Sequence, residues 1–191
     1  PPEGDLYSEV YAQPHSVSPL VADSLERVAR SFLAARQAGR WLDIGFGAGD
    51  LLEAARAVGF EACGSEISRA AIERAKARGF DVASGTDAFS DGGFDVVSMV
   101  ELIEHVQEPR SFLREARRLL RPGGCLYITT PNAWSLNRWI LASAWSVFAP
   151  PDHITIFTAR GLHRLLRSEG FDIAATHTEG LNPFEVARRF R

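Results

Sequence analysis

Apolar positions along the chain follow two rhythms. Between residues 19 and 38, Leu20, Val21, Leu25, Val28, Ala29, Phe32 and Leu33 fall at helical spacing. This predicts an amphipathic helix that stops near Gly39. After it, short apolar runs alternate with helical stretches. Trp41–Ile44, Phe60–Glu66, Phe80–Ala83, Phe94–Val100 and Cys125–Thr130 read as strands. Leu51–Val58, a stretch from Ser68 to Arg78, and one opening at Pro109 read as helices. Ser68 suits an N-cap, Gly79 a left-handed C-terminal residue, and Pro109 a first helical turn. Pro122-Gly123-Gly124 reads as a turn. Further on, Leu162, Leu165 and Leu166 mark a helix, and Phe171–Thr178 is expected to be a sixth strand.

Strands separated by helices are βαβ units. They imply an α/β fold with a doubly wound, mostly parallel sheet and helices on both faces. In such sheets ligands bind beyond the carboxyl ends of the strands, so functional residues are expected just after each strand. Two parts are expected: an N-terminal arm and helix over 1–39, and a ligand-binding domain over 40–191 with an aromatic insertion at 132–153.

Composition narrows the picture. The 191 residues are 46% hydrophobic and 24% charged with a net charge of -3, which excludes disorder as the main state. The mild acidity argues against a general nucleic-acid binder. Two cysteines, with no clustered ligand set, predict neither a disulfide framework nor a metal site. No apolar run is long enough to span a bilayer and no signal segment opens the chain, so a cytoplasmic location is expected.

Four loci carry candidate chemistry. The first is Asp43-Ile44-Gly45-Phe46-Gly47-Ala48-Gly49, a strand ending in an acid followed by alternating glycines. Glycines admit close backbone approach, but G-x-G-x-G is not the dinucleotide spacing. Asp43 beside the loop would repel a pyrophosphate and suit an ammonium group. The second is Glu66, which can accept from a ribose diol, with Ile67 able to stack on an adenine. The third is Asp87 with Ala88 after the third strand. The fourth is Val100 to Val106, containing Glu101, Glu104 and His105. Glu104-His105 is not expected to form a metal pair, because adjacent residues on regular structure do not face one ligand.

Together these loci resemble the class I S-adenosylmethionine-dependent methyltransferases over roughly residues 40–173, which implies their Rossmann-like fold. Leu42 to Gly49 and Phe94-Asp95-Val96-Val97 with Glu104-His105-Val106 carry the likeness. So do Leu119 to Gly124 and Thr130-Pro131-Asn132. The last group, with Pro150-Pro151-Asp152-His153, Phe157 and Leu162, is similar to the subgroup of ubiquinone-type O-methyltransferases and natural-product methyltransferases. Glu66 stands where many members carry Asp, and both can chelate a ribose.

The resemblance implies S-adenosyl-L-methionine as cofactor. Gly45, Phe46, Gly47 and Gly49 would pass against its methionine part, with Asp43 near the amino group. Glu66 would hold the ribose, Ile67 and Ala88 the adenine, Asp87 its amine, and Val100 and Glu101 the methionine end. A phosphate-free, acid-rich pocket suits a cationic sulfonium. Methyl transfer asks mainly for alignment, with a general base for a phenol or acid acceptor. His153 is the candidate base, ahead of His15 and His105. Members usually end in an antiparallel strand pair, so the final strand is expected to be missing here.

The insertion holds Trp134, Trp139 and Trp145 among other apolar residues. A small hydrophobic or aromatic acceptor, methylated at oxygen, is the favoured reading. A homodimer contact through 132–148 is a further one. Membrane-surface contact is less favoured, because only Arg138 is basic there. Two other classes stay open: a non-catalytic S-adenosylmethionine-binding scaffold, and, less favoured, an NAD-dependent oxidoreductase.

Overall fold

The computed structural model describes residues 18–33, 39–142, 145, 147 and 153–178. The N-terminal arm with His15, the Pro150-Pro151-Asp152 stretch and the tail after residue 178 lie outside the described residues.

Helix α1 (Pro19–Leu33) is followed by β1 (Arg40–Ile44), α2 (Asp50–Ala57), β2 (Glu61–Ser65), α3 (Arg69–Ala77) and β3 (Asp81–Ala83). A single 3-10 turn over Thr86–Ala88 leads to β4 (Phe94–Val100), then α4 (Pro109–Leu119), β5 (Leu120–Thr129), α5 (Leu136–Leu141) and α6 (Ala159–Ser168). The sheet order is β3-β2-β1-β4-β5. β1 pairs in parallel with both β2 and β4, and β2 with β3. The order reverses at β1, between β2 and β4, and this is where doubly wound sheets open a ligand crevice.

Local chemistry sets the boundaries. The Ser68 hydroxyl accepts from the Ala71 N–H at 3.4 Å and caps α3, and Gly79 follows that helix at φ 82. Thr158 caps α6 in the same way, accepting from Gly161 N–H at 3.0 Å. Strand β4 reads FDVVSMV, and its first six residues are buried.

β5 as a whole begins at Leu120, and within it the chain turns at Pro122-Gly123-Gly124 as expected: Gly123 stands at φ 73, where glycine carries no steric penalty, and a β-carbon on Gly124 would lie 2.9 Å from the Arg121 carbonyl oxygen. One expectation fails. The strand expected over Phe171–Thr178 is not formed, and the stretch is irregular. An apolar pattern makes a strand only where a neighbour completes the ladder, and this stretch has none among the described residues.

The contacts divide the chain into two compact units. One runs to Val100 and resumes over Glu115–Tyr127; the other holds Glu101–Arg114 and the chain from Ile128 onward. In the first unit, Trp41, Leu52, Phe60, Ala75 and Val96 belong to one buried cluster. Helix α1 joins it through Ala29, fully buried, and through Phe32, whose ring meets Trp41 edge-on at 5.0 Å. In the second unit Leu141 and Trp145 are buried, while Trp134 and Trp139 stand exposed. The aromatic insertion is therefore partly core and partly surface.

Candidate functional site

In the first unit, the carboxyl ends of β1 and β2 bring most of the expected residues together. Asp43 is buried on β1, 3% exposed. Its Oδ1 accepts from the Ser98 hydroxyl on β4 at 2.6 Å. Burial pushes its pKa up to about 7; the Ser98 hydrogen bond opposes this and the nearby Glu66 adds to it. Among the described residues no cation pairs with Asp43. A buried carboxylate with no positive partner is costly and calls for one.

The glycine loop follows. Gly45, Gly47 and Gly49 adopt φ 74, 53 and 83, a region that residues with a β-carbon rarely enter. Gly45 N–H donates to Ser65 O at 2.7 Å and Gly49 N–H to Phe46 O at 2.8 Å, so the loop folds back on itself. Phe46 is buried, lying over Gly64 of β2, where a β-carbon would collide with its ring. That packing fixes the loop.

Glu66 bridges the two strand ends. Its Oε2 accepts from Gly47 N–H at 2.9 Å, and its Oε1 from Ile67 N–H at 2.7 Å and Ser68 N–H at 2.9 Å. The carboxylate is thereby aimed by three backbone donors. Ile67 beside it is an apolar side chain left 80% exposed. Asp87 and Ala88 lie in the exposed 3-10 turn, and the Asp87 carboxylate folds against Gly85.

Val100 ends β4, packed against the core cluster. Glu101 follows at φ 48, a strained value for a residue with a side chain. Its N–H donates to Thr129 O at 3.1 Å, which holds the strained turn. Its carboxyl is held above the ordinary range, by desolvation first and then by the neighbouring Glu104.

The second unit gathers a group that the sequence kept apart. Glu104 is fully buried, and its Oε2 accepts from the Thr130 hydroxyl at 3.0 Å. Its Oε1 has no hydrogen-bond partner among the described residues. Its carbonyl accepts from Ile154 N–H at 2.9 Å and Thr155 N–H at 3.0 Å, which ties down the segment that starts at His153. The His105 and His153 rings lie 4.7 Å apart between centroids. His153 Nδ1 is 2.7 Å from the Val147 carbonyl oxygen. A carbonyl can only accept, so Nδ1 carries a proton, and in the neutral ring Nε2 is the nitrogen with the lone pair. Glu104, His105 and His153 each bring one ligand atom within 4.8 Å of the others. The expectation that Glu104 and His105 could not face one ligand is corrected: they lie in a turn rather than on regular structure, so the alternation of a strand does not separate them.

Ser98 and Trp41 are the site residues that sequence reasoning missed. Ser98 breaks the apolar run Val96–Val100 of β4, and that break was the available signal.

A parallel sheet with a glycine loop, a buried acid on β1 and a second acid after β2 fits the class I S-adenosylmethionine-dependent methyltransferases. The chain belongs to the family described as "Methyltransferase domain", which matches residues 15–176. It is 31% identical, over 95% of its length and 79% of the relative's, to the ubiquinone biosynthesis O-methyltransferase of Methylococcus capsulatus. The corresponding protein of Aromatoleum aromaticum is 31% identical over 78% of this chain and 63% of its own length. Among solved structures, a Thermotoga maritima S-adenosylmethionine-dependent methyltransferase, described as a possible histamine N-methyltransferase, superposes with TM-score 0.61. It is 27% identical, over 78% of this chain and 74% of that one. The magnesium protoporphyrin IX methyltransferase of Synechocystis, solved with S-adenosylhomocysteine, shares the fold at TM-score 0.68 and 17% identity, over 91% and 87% of the two chains.

Proposed function

We propose that this methyltransferase moves the methyl group of S-adenosylmethionine to an oxygen of a small, hydrophobic or aromatic acceptor. The observation that carries the cofactor half is Asp43: a buried carboxylate lacking a cation beside glycines that admit close backbone approach. The cofactor's ammonium group supplies the missing charge. Glu66, aimed by Gly47, Ile67 and Ser68, takes the ribose hydroxyls, and the bare Ile67 side chain takes the adenine face. Asp87 and Ala88 border the same base, and Val100 and Glu101 border the methionine end.

The relatives named for ubiquinone O-methylation support oxygen as the target. The exposed Trp134 and Trp139 support an aromatic or apolar acceptor, and the same face is where a second copy of the chain would dock. On this reading the His153 Nε2 lone pair takes the acceptor hydroxyl's proton. The sulfonium is already activated, so alignment and one proton transfer suffice.

The experiment is S-adenosylhomocysteine calorimetry followed by methyl-transfer assays on a panel of phenols, carboxylic acids and amines. Methylation of phenols is the expected result. Failure of the folded protein to bind S-adenosylhomocysteine at millimolar ligand overturns the reading, and transfer to amines alone overturns the oxygen assignment. The Glu104–His105–His153 group favours one variant of it, in which a divalent cation takes the His153 lone pair. Loss of turnover in EDTA, restored by magnesium, assigns that variant; unchanged turnover assigns the free base.

A further inference from the structure

Helix α6 carries Arg160, Arg164 and Arg167, which together with His163 line a hollow of about 450 Å³. None of the three guanidinium groups has an ion pair, hydrogen bond or ring contact among the described residues. Every other described arginine has a partner: ten in ion pairs with Asp or Glu, Arg138 over the Trp139 ring, and Arg74 and Arg117 in further interactions. Among the described residues, the unpartnered guanidinium groups are thus confined to one hollow.

The arrangement costs energy as it stands. Arg160 and Arg164 are like charges one turn apart, and such pairs destabilise a helix. Arg160 also lies in the first turn, where the helix dipole disfavours a cation and where α6 has no acid. The nearest acid in the chain beyond the helix cannot relieve it. Glu169 is buried and already held by Arg110 at 2.5 Å and Arg114 at 2.9 Å. His163 is oriented by the Thr176 hydroxyl, 2.8 Å from Nε2, which leaves Nδ1 to address the hollow's contents.

We propose that this hollow is a binding site for a phosphate group, separate from the cofactor residues. Planar guanidinium forks match phosphate oxygens two at a time, and three of them around one volume suit a dianionic group better than a carboxylate. The volume lies within the range of small-ligand sites. The phosphate comes from a free small molecule or from a lipid headgroup, and the test separates these.

Pyrophosphate is titrated calorimetrically into the protein at low salt. In a second arm, the protein is floated with phosphatidylcholine vesicles with and without phosphatidic acid. Binding of pyrophosphate, weakened about tenfold or more in the Arg160→Gln/Arg164→Gln double variant, supports the site with a free phosphate ligand. Flotation that requires phosphatidic acid and is lost in the same variant supports it with a lipid ligand. Thr176→Val, which only unpins His163, is expected to give a smaller loss in whichever arm responds. Both variants are expected to stay folded and to keep their S-adenosylhomocysteine affinity, since these side chains face solvent, and the arginine variant is expected to melt no lower than the parent. Absence of binding in both arms, or binding that the arginine substitutions leave unchanged, overturns the proposal.

Discussion

The hydroxyl of Ser98 donates to the carboxylate of Asp43 at 2.6 Å, far closer than its other acceptor, the Leu42 carbonyl oxygen at 3.4 Å. The Trp41 indole N–H, 2.8 Å away, can only donate to that hydroxyl. The single Ser98 proton is therefore free for the acid. Three buried side chains, on β1 and β4, form a chain of hydrogen bonds that ends on the carboxylate which, on the proposed reading, receives the cofactor's ammonium group.

Ser98→Ala breaks this chain in the middle. It leaves the buried Trp41 N–H unsatisfied and removes the group that favours ionised Asp43. A stability loss of about 1–3 kcal/mol is expected, read by denaturant titration. The Asp43 carboxyl then moves further up from about 7, so S-adenosylhomocysteine affinity at neutral pH is expected to fall. Ser98→Thr, which keeps the hydroxyl, recovers most of that affinity. Equal binding by Ser98→Ala and the parent would show that the donor does not matter.

The pH dependence has a definite sign. Asp43 is raised in the folded protein from an ordinary 3.8 to about 7. Between those values the folded state binds a proton that the unfolded state has released. Its contribution to stability is therefore largest at low pH and is lost as pH rises toward 7. The ligand's ammonium group prefers the ionised acid, so S-adenosylhomocysteine affinity is expected to rise over that range and binding near pH 7 to release a proton. Calorimetry in buffers of different ionisation enthalpy measures the release, and Asp43→Asn abolishes it.

Glu66→Ala removes the carboxylate that gathers Gly47, Ile67 and Ser68 N–H groups and, on the proposed reading, the ribose hydroxyls. Hydrogen bonds to a charged group are worth about 1.5–3 kcal/mol, so a 10- to 100-fold loss of S-adenosylhomocysteine affinity is expected. Methionine, which has no ribose, provides the control. A comparable loss for methionine would trace the effect to the loop instead.

His153→Ala is expected to lower kcat by about 10²- to 10⁴-fold, the range of general acid–base catalysis, while leaving S-adenosylhomocysteine affinity near the parent value. A fall in cofactor affinity with unchanged kcat would remove His153 from the proton-transfer role.

Much of this arrangement was legible along the chain. The β1 to β4 alternation, the Ser68 cap and the left-handed Gly79 all follow from local pattern, and the acids Asp43, Glu66 and Glu101 do stand at strand ends. What stayed hidden is what depends on partners distant in sequence. Ser98 lies 55 residues from Asp43, and only the β1–β4 register brings them together. The irregular 171–178 stretch has a strand-like pattern but no ladder partner among the described residues. The nearness of Glu104, His105 and His153 depends on a turn whose shape sequence periodicity does not encode.

Gly64→Ala tests the packing that holds the glycine loop. A β-carbon at Gly64 would overlap the Phe46 ring and approach Leu52 Cδ1 to 3.2 Å. Both neighbours are buried, so neither can swing into solvent. Overpacking of this kind costs about 1–3 kcal/mol. The cheaper relief is displacement of Phe46, which sits between Gly45 and Gly47 and would carry the loop with it. The expected result is therefore a lower melting temperature together with weaker S-adenosylhomocysteine binding. Phe46→Leu in the same background, by removing the colliding ring edge, is expected to restore part of both. If Gly64→Ala lowers stability but binds S-adenosylhomocysteine as the parent does, the Phe46–Gly64 contact supports the core and not the loop.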